Sequence, residues 1–214
     1  MFDLAKLKSL KKLVIAPHVD DEVLGLGGIL DSRTHVLHLG LASQQNHGNE
    51  IFSREYRLGE WKLVEEESLC SHTLSNHPVN SYQLEKIIPD IEKSVNDHKP
   101  DLIFIPNPSY NQDHQAVFSA TQIALRPHDI NHFVPVVLAY YQPQDLWSPK
   151  ENIDPNLFIK VDLENHLRRY QMLSSQVRGH RSVDLIKSQL ILFGSLANCK
   201  YALGFRCHRF AILD

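Results

Sequence analysis

Cysteine is scarce in this chain and poorly placed for joint work. Cys70, Cys199 and Cys207 are the only three among 214 residues, widely spaced and with no C-x-x-C. An odd count at such spacings argues against a disulfide framework or a thiolate metal site, and suits a reducing compartment. Long apolar runs are missing as well. No stretch approaches the ~20 residues that cross a bilayer, and the amino-terminal MFDLAKLKSLKKLVIAP has no apolar segment followed by a small-residue cleavage site. A cytoplasmic protein without a membrane span is expected. Charge of one sign is also lacking, since 22 Lys and Arg against 25 Asp and Glu leave a formal net charge of −3. Nucleic-acid binders usually carry a basic face, so no nucleic-acid partner is expected. Gly25, Gly27 and Gly28 do not make G-x-G-x-x-G, which removes a dinucleotide fingerprint.

What is present is ordinary in bulk and unusual in one residue. Hydrophobic residues at 43% and charged residues at 22% describe a globular chain, and the length suits a single domain over residues 1–214. Histidine occurs 13 times, so no histidine counts on its own and only constellations carry weight.

The run Lys12–Pro17 is short, partly β-branched and closed by proline, which reads as a buried strand. Residues 18–22 (HVDDE) form a loop, and 23–31 start a helix packed closely through its glycines. A strand is expected at Thr34–Leu41, a helix over 50–75 and an amphipathic helix over 84–98. Phe52, Tyr56 and Trp61 are assigned to the core. Asp101–Pro106 repeats the first strand, again closed by proline and again opening into a polar loop, NPSYNQDH, with a helix from His114 to Leu125. The remainder reads as a strand at Val134–Tyr141, a surface loop at 142–156, a strand at Leu157–Val161, helices at 163–177 and 183–196, and a final strand or hairpin at Tyr201–Leu213. Alternating strands and helices predict an α/β fold: a Rossmann-like three-layer domain with a mostly parallel sheet. Ligands bind such sheets beyond the carboxyl ends of the strands, where both polar loops are expected.

Those loops supply His18, Asp20, Asp21 and Glu22, then Asn111, Asp113 and His114. Imidazole nitrogen and carboxylate oxygen suit Zn²⁺, and a catalytic zinc keeps one position open. Asp20-Asp21-Glu22 before an apolar run also suits a helix N-terminus, where carboxylates are favoured, and Asp113 with His114 could cap its own helix. The pairing of two such loops, each with His beside acid after a buried strand, favours the metal.

The segment Ala16-Pro17-His18-Val19-Asp20-Asp21-Glu22 resembles the A-H-P-D-D-E signature of the PIG-L/LmbE-like zinc-dependent N-deacetylases, and Asn111-Gln112-Asp113-His114 resembles their H-x-D-H signature. Ser174–Ser182 (SSQVRGHRS) and Ala202–Phe205 are similar to weaker carboxyl-terminal patterns of the family, so the resemblance spans the chain. It implies a hydrolase that removes an N-acetyl group from an amino sugar or sugar conjugate. His18, Asp21 and His114 would hold Zn²⁺, with Fe²⁺ an alternative native metal, and Asp20 would be the general base. Two departures stand out. Val19 replaces the family proline, and Asn111 stands where many members have a histidine that stabilises the oxyanion or protonates the amine. An asparagine amide donates a hydrogen bond but transfers no proton. Asn111 is therefore expected to polarise the oxyanion, with Asp20 or His180 returning the proton. Asp113 is counted with the catalytic group, and Arg54, His180, Arg181 and Gln176 as substrate contacts.

Expected partners are a small N-acetylated sugar or sugar nucleotide and, as in many family members, a second copy of the chain. Two other classes remain open. Two His and one carboxylate also describe a non-haem Fe(II) oxygenase, though those sites sit in β-barrels. A non-catalytic sugar-binding relative is the other, because of Asn111.

Overall fold

The computed structural model describes residues 4–47, 49–143, 145 and 154–212. After helix α1 (Leu4–Ser9), the chain alternates β1 (Lys12–His18), α2 (Asp21–Leu26) and β2 (Thr34–Gly40). A hairpin of β3 (Gln44–Asn46) and β4 (Asn49–Phe52) precedes α3 (Arg54–Ser68) and β5 (Ser71–Leu74). Then come α4 (Leu84–His98), β6 (Leu102–Pro106), α5 (Gln112–Ala124) and β7 (Val136–Tyr140). The described chain closes with β8 (Leu157–Lys160), α6 (Leu163–Met172), α7 (Val183–Leu196) and β9 (Ala202–Phe210). Seven strands form one sheet in the order β5-β2-β1-β6-β7-β9-β8. The first five pair in parallel, while β9 runs antiparallel to both neighbours. This is the expected α/β three-layer architecture.

The near-continuous apolar runs follow from a sheet covered on both faces. Successive residues of β1 point to opposite sides. Val14 and Ala16 join a core with Leu24, Leu26, Tyr170 and Leu190 from α2, α6 and α7. Leu13 and Ile15 join the other, with Ile87, Ile91 and Val117 from α4 and α5. Gly25 lets α2 lie directly on β7, because a Cβ there would run into the Tyr140 ring. The Tyr140 hydroxyl donates to the Ile15 carbonyl at 3.1 Å, tying β7 to β1 across intervening β6.

The strand order reverses between β1 and β6. One connection leads from β1 to β2 on one side, and β6 continues to β7 on the other. Such a switch point opens a crevice at the carboxyl edge, and the loops after β1 and β6 are the two that carry the acidic and histidine residues.

Several expected elements need correction. The helix expected over 50–75 is confined to α3. Ser53 caps it, its Oγ accepting from Tyr56 N at 3.1 Å, and Leu69 ends it in the left-handed conformation (φ 60°). The flanks are β4 and the edge strand β5, whose half-exposed Ser-His-Thr-Leu lacks an apolar stripe and is recruited by parallel pairing with β2. The helix expected at 163–177 stops at Met172. A single 3-10 turn, Ser174–Gln176, follows because buried Glu60 accepts from Ser174 Oγ, Ser175 N and Ser175 Oγ. Of the three aromatic residues assigned to the core, Trp61 is buried, whereas Tyr56 is exposed with Phe52 stacked on it. The loop expected at 142–156 lies mostly outside the described residues, but Gln142 and Asp145 are buried rather than at the surface.

His166 joins α6 to α2. Fully buried, it accepts from Gly28 N on Nδ1 at 2.9 Å, and its Nε2 has no partner among the described residues. Burial, and then the nearby Arg169 charge, depress its pKa from 6.5 to about 4. Between those values the unfolded chain binds a proton that the folded one refuses, so the stability tied to neutral His166 is present above pH 6.5 and is lost as pH falls towards 4. The shift corresponds to roughly 3 kcal/mol. Urea midpoints measured from pH 7 to pH 4.5 should fall less steeply in His166→Asn than in the wild type. Identical slopes would remove His166 from the acid response.

Candidate metal and catalytic site

The site is assembled by the ends of two neighbouring strands. His18 is the last residue of β1, Asp21 the first of α2, and His114 the third of α5. Asp20 turns the chain between β1 and α2 with φ 156°, a conformation that L residues rarely adopt and that costs backbone strain. Asn111 caps α5, its Oδ1 accepting from Asp113 N at 2.9 Å.

Three donors converge. Asp21 Oδ2 lies 3.3 Å from His18 Nδ1 and 3.4 Å from His114 Nε2. These separations are long for charge-assisted hydrogen bonds, which run at about 2.7–2.9 Å. They match the edge of a tetrahedron around an ion with bonds of 2.0–2.1 Å, about 3.3 Å. All three atoms lie within 4.8 Å of one another, and no other such group of His, Cys, Asp and Glu occurs among the described residues. The donor set fits a small divalent cation such as Zn²⁺.

Two of the donors, His18 and Asp21, are aimed by groups behind them. His18 Nε2 donates to Asp113 Oδ2 at 2.8 Å, so Nδ1, which faces Asp21, is the nitrogen available to a cation. Asp113 is fully buried, also accepts from Asn80 N at 2.7 Å, and does not line the cavity in front of the donors. Asp21 Oδ1 accepts from Gln142 Nε2 at 2.9 Å, while its Oδ2 accepts from His18 N at 2.8 Å. Glu22 is fully buried and takes no part in the cavity. It ties the loop to β2 and α3 by accepting from His38 Nε2 at 2.9 Å and Trp61 Nε1 at 2.8 Å.

The electrostatics point the same way. Burial disfavours an imidazolium at His18, but hydrogen bonds to Asp113 and Asp21 outweigh it and raise the pKa to about 10. Burial also works against a charged Asp21, yet His114 and His18 hold its carboxyl well below the usual range. The cluster therefore favours a positive charge among its acids. Asp20 behaves oppositely: burial and then the Asp21 charge push it above the ordinary carboxylate value, with Arg181 and Arg57 opposing.

In front of these residues lies a cavity of about 310 Å³. His18, Asp20, Asp21, Asn111 and His114 line it, with Arg181 and Gln176 from the segment before α7. Arg181 Nη1 reaches Asp20 Oδ2 at 3.3 Å. The structure does not bring in Arg54 or His180. Arg54 turns away to the Leu41 carbonyl and Asn76, and His180 is exposed outside the lining. Three residues beyond Arg54, Arg57 lines the cavity instead, with Nη2 at 3.8 Å from Asp20 Oδ2. Arg54 and Arg57 are an i, i+3 pair on one face of α3, and the structure places Arg57 at the cavity where Arg54 was expected. Two further residues were not expected from the sequence: Gln142, just past the carboxyl end of the parallel strand β7 and bonded to Asp21, and Arg178, within the SSQVRGHRS segment and lining the cavity.

Residues 13–125 match the family model described as PIG-L, GlcNAc-PI de-N-acetylase. A search of curated proteins finds no match to the chain. Among solved structures, the N,N'-diacetylchitobiose deacetylase of Pyrococcus horikoshii superposes with a TM-score of 0.76 at 18% identity, covering 97% of this chain and 88% of that one. GalB, the 4-carboxy-2-hydroxymuconate hydratase of Pseudomonas putida, superposes at 0.75 with 16% identity, covering 95% and 98%. Dbv21, the A40926 pseudoaglycone deacetylase, superposes at 0.73 with 17% identity, covering 95% and 99%. At such identities these likenesses establish the fold.

Proposed function

Because the chain belongs to the PIG-L family of GlcNAc-PI de-N-acetylases, we propose that it is a metal-dependent N-deacetylase of an amino sugar or sugar conjugate. The observation that carries this reading is the convergence of His18 Nδ1, Asp21 Oδ2 and His114 Nε2 beside Asp20 at one cavity. Fold alone would not select the reaction, since GalB shares the architecture and is a hydratase. The same two His and one carboxylate serve Fe(II) oxygenases, but those sites sit on β-barrels, and this one sits on a parallel sheet.

His18, Asp21 and His114 would hold the ion, Zn²⁺ or Fe²⁺. Such an ion would supply polarisation of the amide carbonyl and a water whose pKa is lowered towards ~7. The chain's own groups do the rest. Asp20, fixed by Arg181 and Arg57, takes a proton from the attacking water as its oxygen bonds to the acyl carbon. The same carboxyl returns the proton to the nitrogen as the C–N bond breaks, giving acetate and amine. Asn111 lines the cavity with its Oδ1 engaged by Asp113 N, which leaves the Nδ2 amide to donate to the oxyanion. With His180 outside the cavity, Asp20 serves as both base and acid. Asp113 acts through His18, as a carboxylate that fixes the ring and its tautomer.

The test is amine release from a panel of N-acetyl sugars and their nucleotide forms, by chelator-stripped protein and with Zn²⁺ or Fe²⁺ restored. Metal-dependent release supports the reading. Stoichiometric metal and measurable sugar binding without any amine would transfer it to a non-catalytic sugar-binding relative. A companion expectation concerns Asp113→Asn. Loss of its charge behind His18 should weaken metal affinity about 10- to 100-fold, read by competition with a chromophoric chelator. Unchanged affinity would detach Asp113 from the metal site.

A further inference from the structure

The segment 75–83 reaches the site from the edge of the sheet. It leaves β5 and crosses the carboxyl end of β2, where Ser75 N donates to the His38 carbonyl at 2.9 Å and His77 N to the Leu39 carbonyl at 2.8 Å. Gly40 permits this close passage, because a Cβ there would run into the Tyr82 hydroxyl, the His77 carbonyl and Val79. Two side chains fasten the segment. His77 Nε2 pairs with Asp90 Oδ2 of α4 at 2.8 Å, and the Tyr82 hydroxyl donates to the Pro17 carbonyl beside His18.

Asn80 lies in the turn of this segment, exposed, lining the cavity and with φ 68°. That left-handed conformation suits glycine and, among other residues, asparagine and aspartate best, whereas a β-branched side chain is strained there. It directs the Asn80 N–H to Asp113 Oδ2, 2.7 Å away. The side chain is tied to the start of the same helix, its Oδ1 accepting from Gln112 Nε2 at 3.2 Å.

The Asp113 carboxylate has little else to fix it. His18 Nε2 donates to the same Oδ2 at 2.8 Å, while Oδ1, though buried, has no partner among the described residues. Two donors therefore meet on one oxygen. One belongs to the ring that the carboxylate orients, and a ring can turn with its acceptor. The other is a main-chain N–H, which cannot, so it sets the direction in which Oδ2 points.

We infer that Asn80 is a positioning residue: through its left-handed backbone it pins Asp113, and through Asp113 it holds the His18 ring as a donor for the cation. This rests on the metal site of the deacetylase reading, and it extends that site to a segment outside both signature loops.

The experiment measures Zn²⁺ affinity by competition with a chromophoric chelator in Asn80→Gly, Asn80→Ala and Asn80→Val. Asn80→Gly keeps the N–H and its backbone conformation but loses the Gln112 contact, and should bind close to the wild-type affinity. Asn80→Val should bind at least about tenfold more weakly, with Asn80→Ala between the two. If Asn80→Val does not fold, Asn80→Ala against Asn80→Gly carries the comparison. In an Asp113→Ala background the differences among the variants should vanish, because the oxygen that the N–H holds is gone. Thermal unfolding of the metal-free proteins provides the contrast. Lower stability in Asn80→Val with wild-type zinc affinity would make the role merely structural and overturn the inference. Equal losses of affinity in Asn80→Gly and Asn80→Val, or differences that survive in Asp113→Ala, also overturn it. If the wild type binds no ion, the metal reading fails while the positioning is still decided by proton–nitrogen NMR. The His18 Nε2–H should then be protected from solvent exchange in the wild type and Asn80→Gly, and should exchange about tenfold faster in Asn80→Val. Equal exchange in all three overturns the inference.

Discussion

Asp21→Asn is expected to abolish metal-dependent amine release, with a loss on the order of 10³ or more. The substitution keeps the side chain's shape but replaces one carboxylate oxygen with an amide NH2 group. Asp21 Oδ2 now has three neighbours: His18 Nδ1 at 3.3 Å, His114 Nε2 at 3.4 Å and the His18 N–H at 2.8 Å. An NH2 in its place can neither accept from that N–H nor bind a cation. The Gln142 bond to Oδ1 would pull the remaining oxygen the other way. Bound zinc per chain should therefore fall well below one in the variant, measured by elemental analysis after gel filtration. Full metal occupancy together with activity within tenfold of the wild type would exclude Asp21 as a ligand.

Asp20→Asn should separate chemistry from metal binding. The metal content should stay at the wild-type level, because Asp20 faces Arg181 and Arg57 rather than the donor cluster. Its kcat should fall about 10²- to 10⁴-fold, the usual contribution of a positioned base. The pH profile provides a second readout. A general base works only when deprotonated, so wild-type activity should decline as pH falls through the Asp20 pKa. Burial and the Asp21 charge set that pKa above the ordinary carboxylate value, against the pull of the two arginines. The variant should lose this acid limb. A limb that persists unchanged would assign the titration to another group and remove Asp20 from the proton path.

The residues proposed to hold the chemistry were legible because they are local. His18, Asp20 and Asp21 share one loop, and Asn111, Asp113 and His114 share another, each following a buried strand closed by proline. What each side chain does there was less legible. Asp113 stands beside His114 in sequence, yet it turns to His18 across 95 residues of chain. Arg54 and Arg57 differ by less than one helical turn, and only the rotation of α3 against the β1–α2 loop decides which guanidinium faces the cavity. The β3–β4 hairpin and the edge strand β5 escaped because exposed, half-polar strands carry little apolar periodicity. Their pairing energy comes from partners elsewhere in the chain.

By itself the sequence determined the α/β class, since apolar runs of strand length alternating with amphipathic helices can be buried in few other ways. It also determined the donor types, because imidazole and carboxylate chemistry belongs to residue identity. Only the tertiary structure decided the strand order that reverses between β1 and β6 and brings two distant loops to one crevice. It alone set the donor spacing, the second groups that aim His18 and Asp21, and the arginine turn at 178–181 mounted on Glu60 and Tyr170. These depend on contacts between segments far apart in the chain, and the periodicity of a single segment cannot encode which distant partner it will meet.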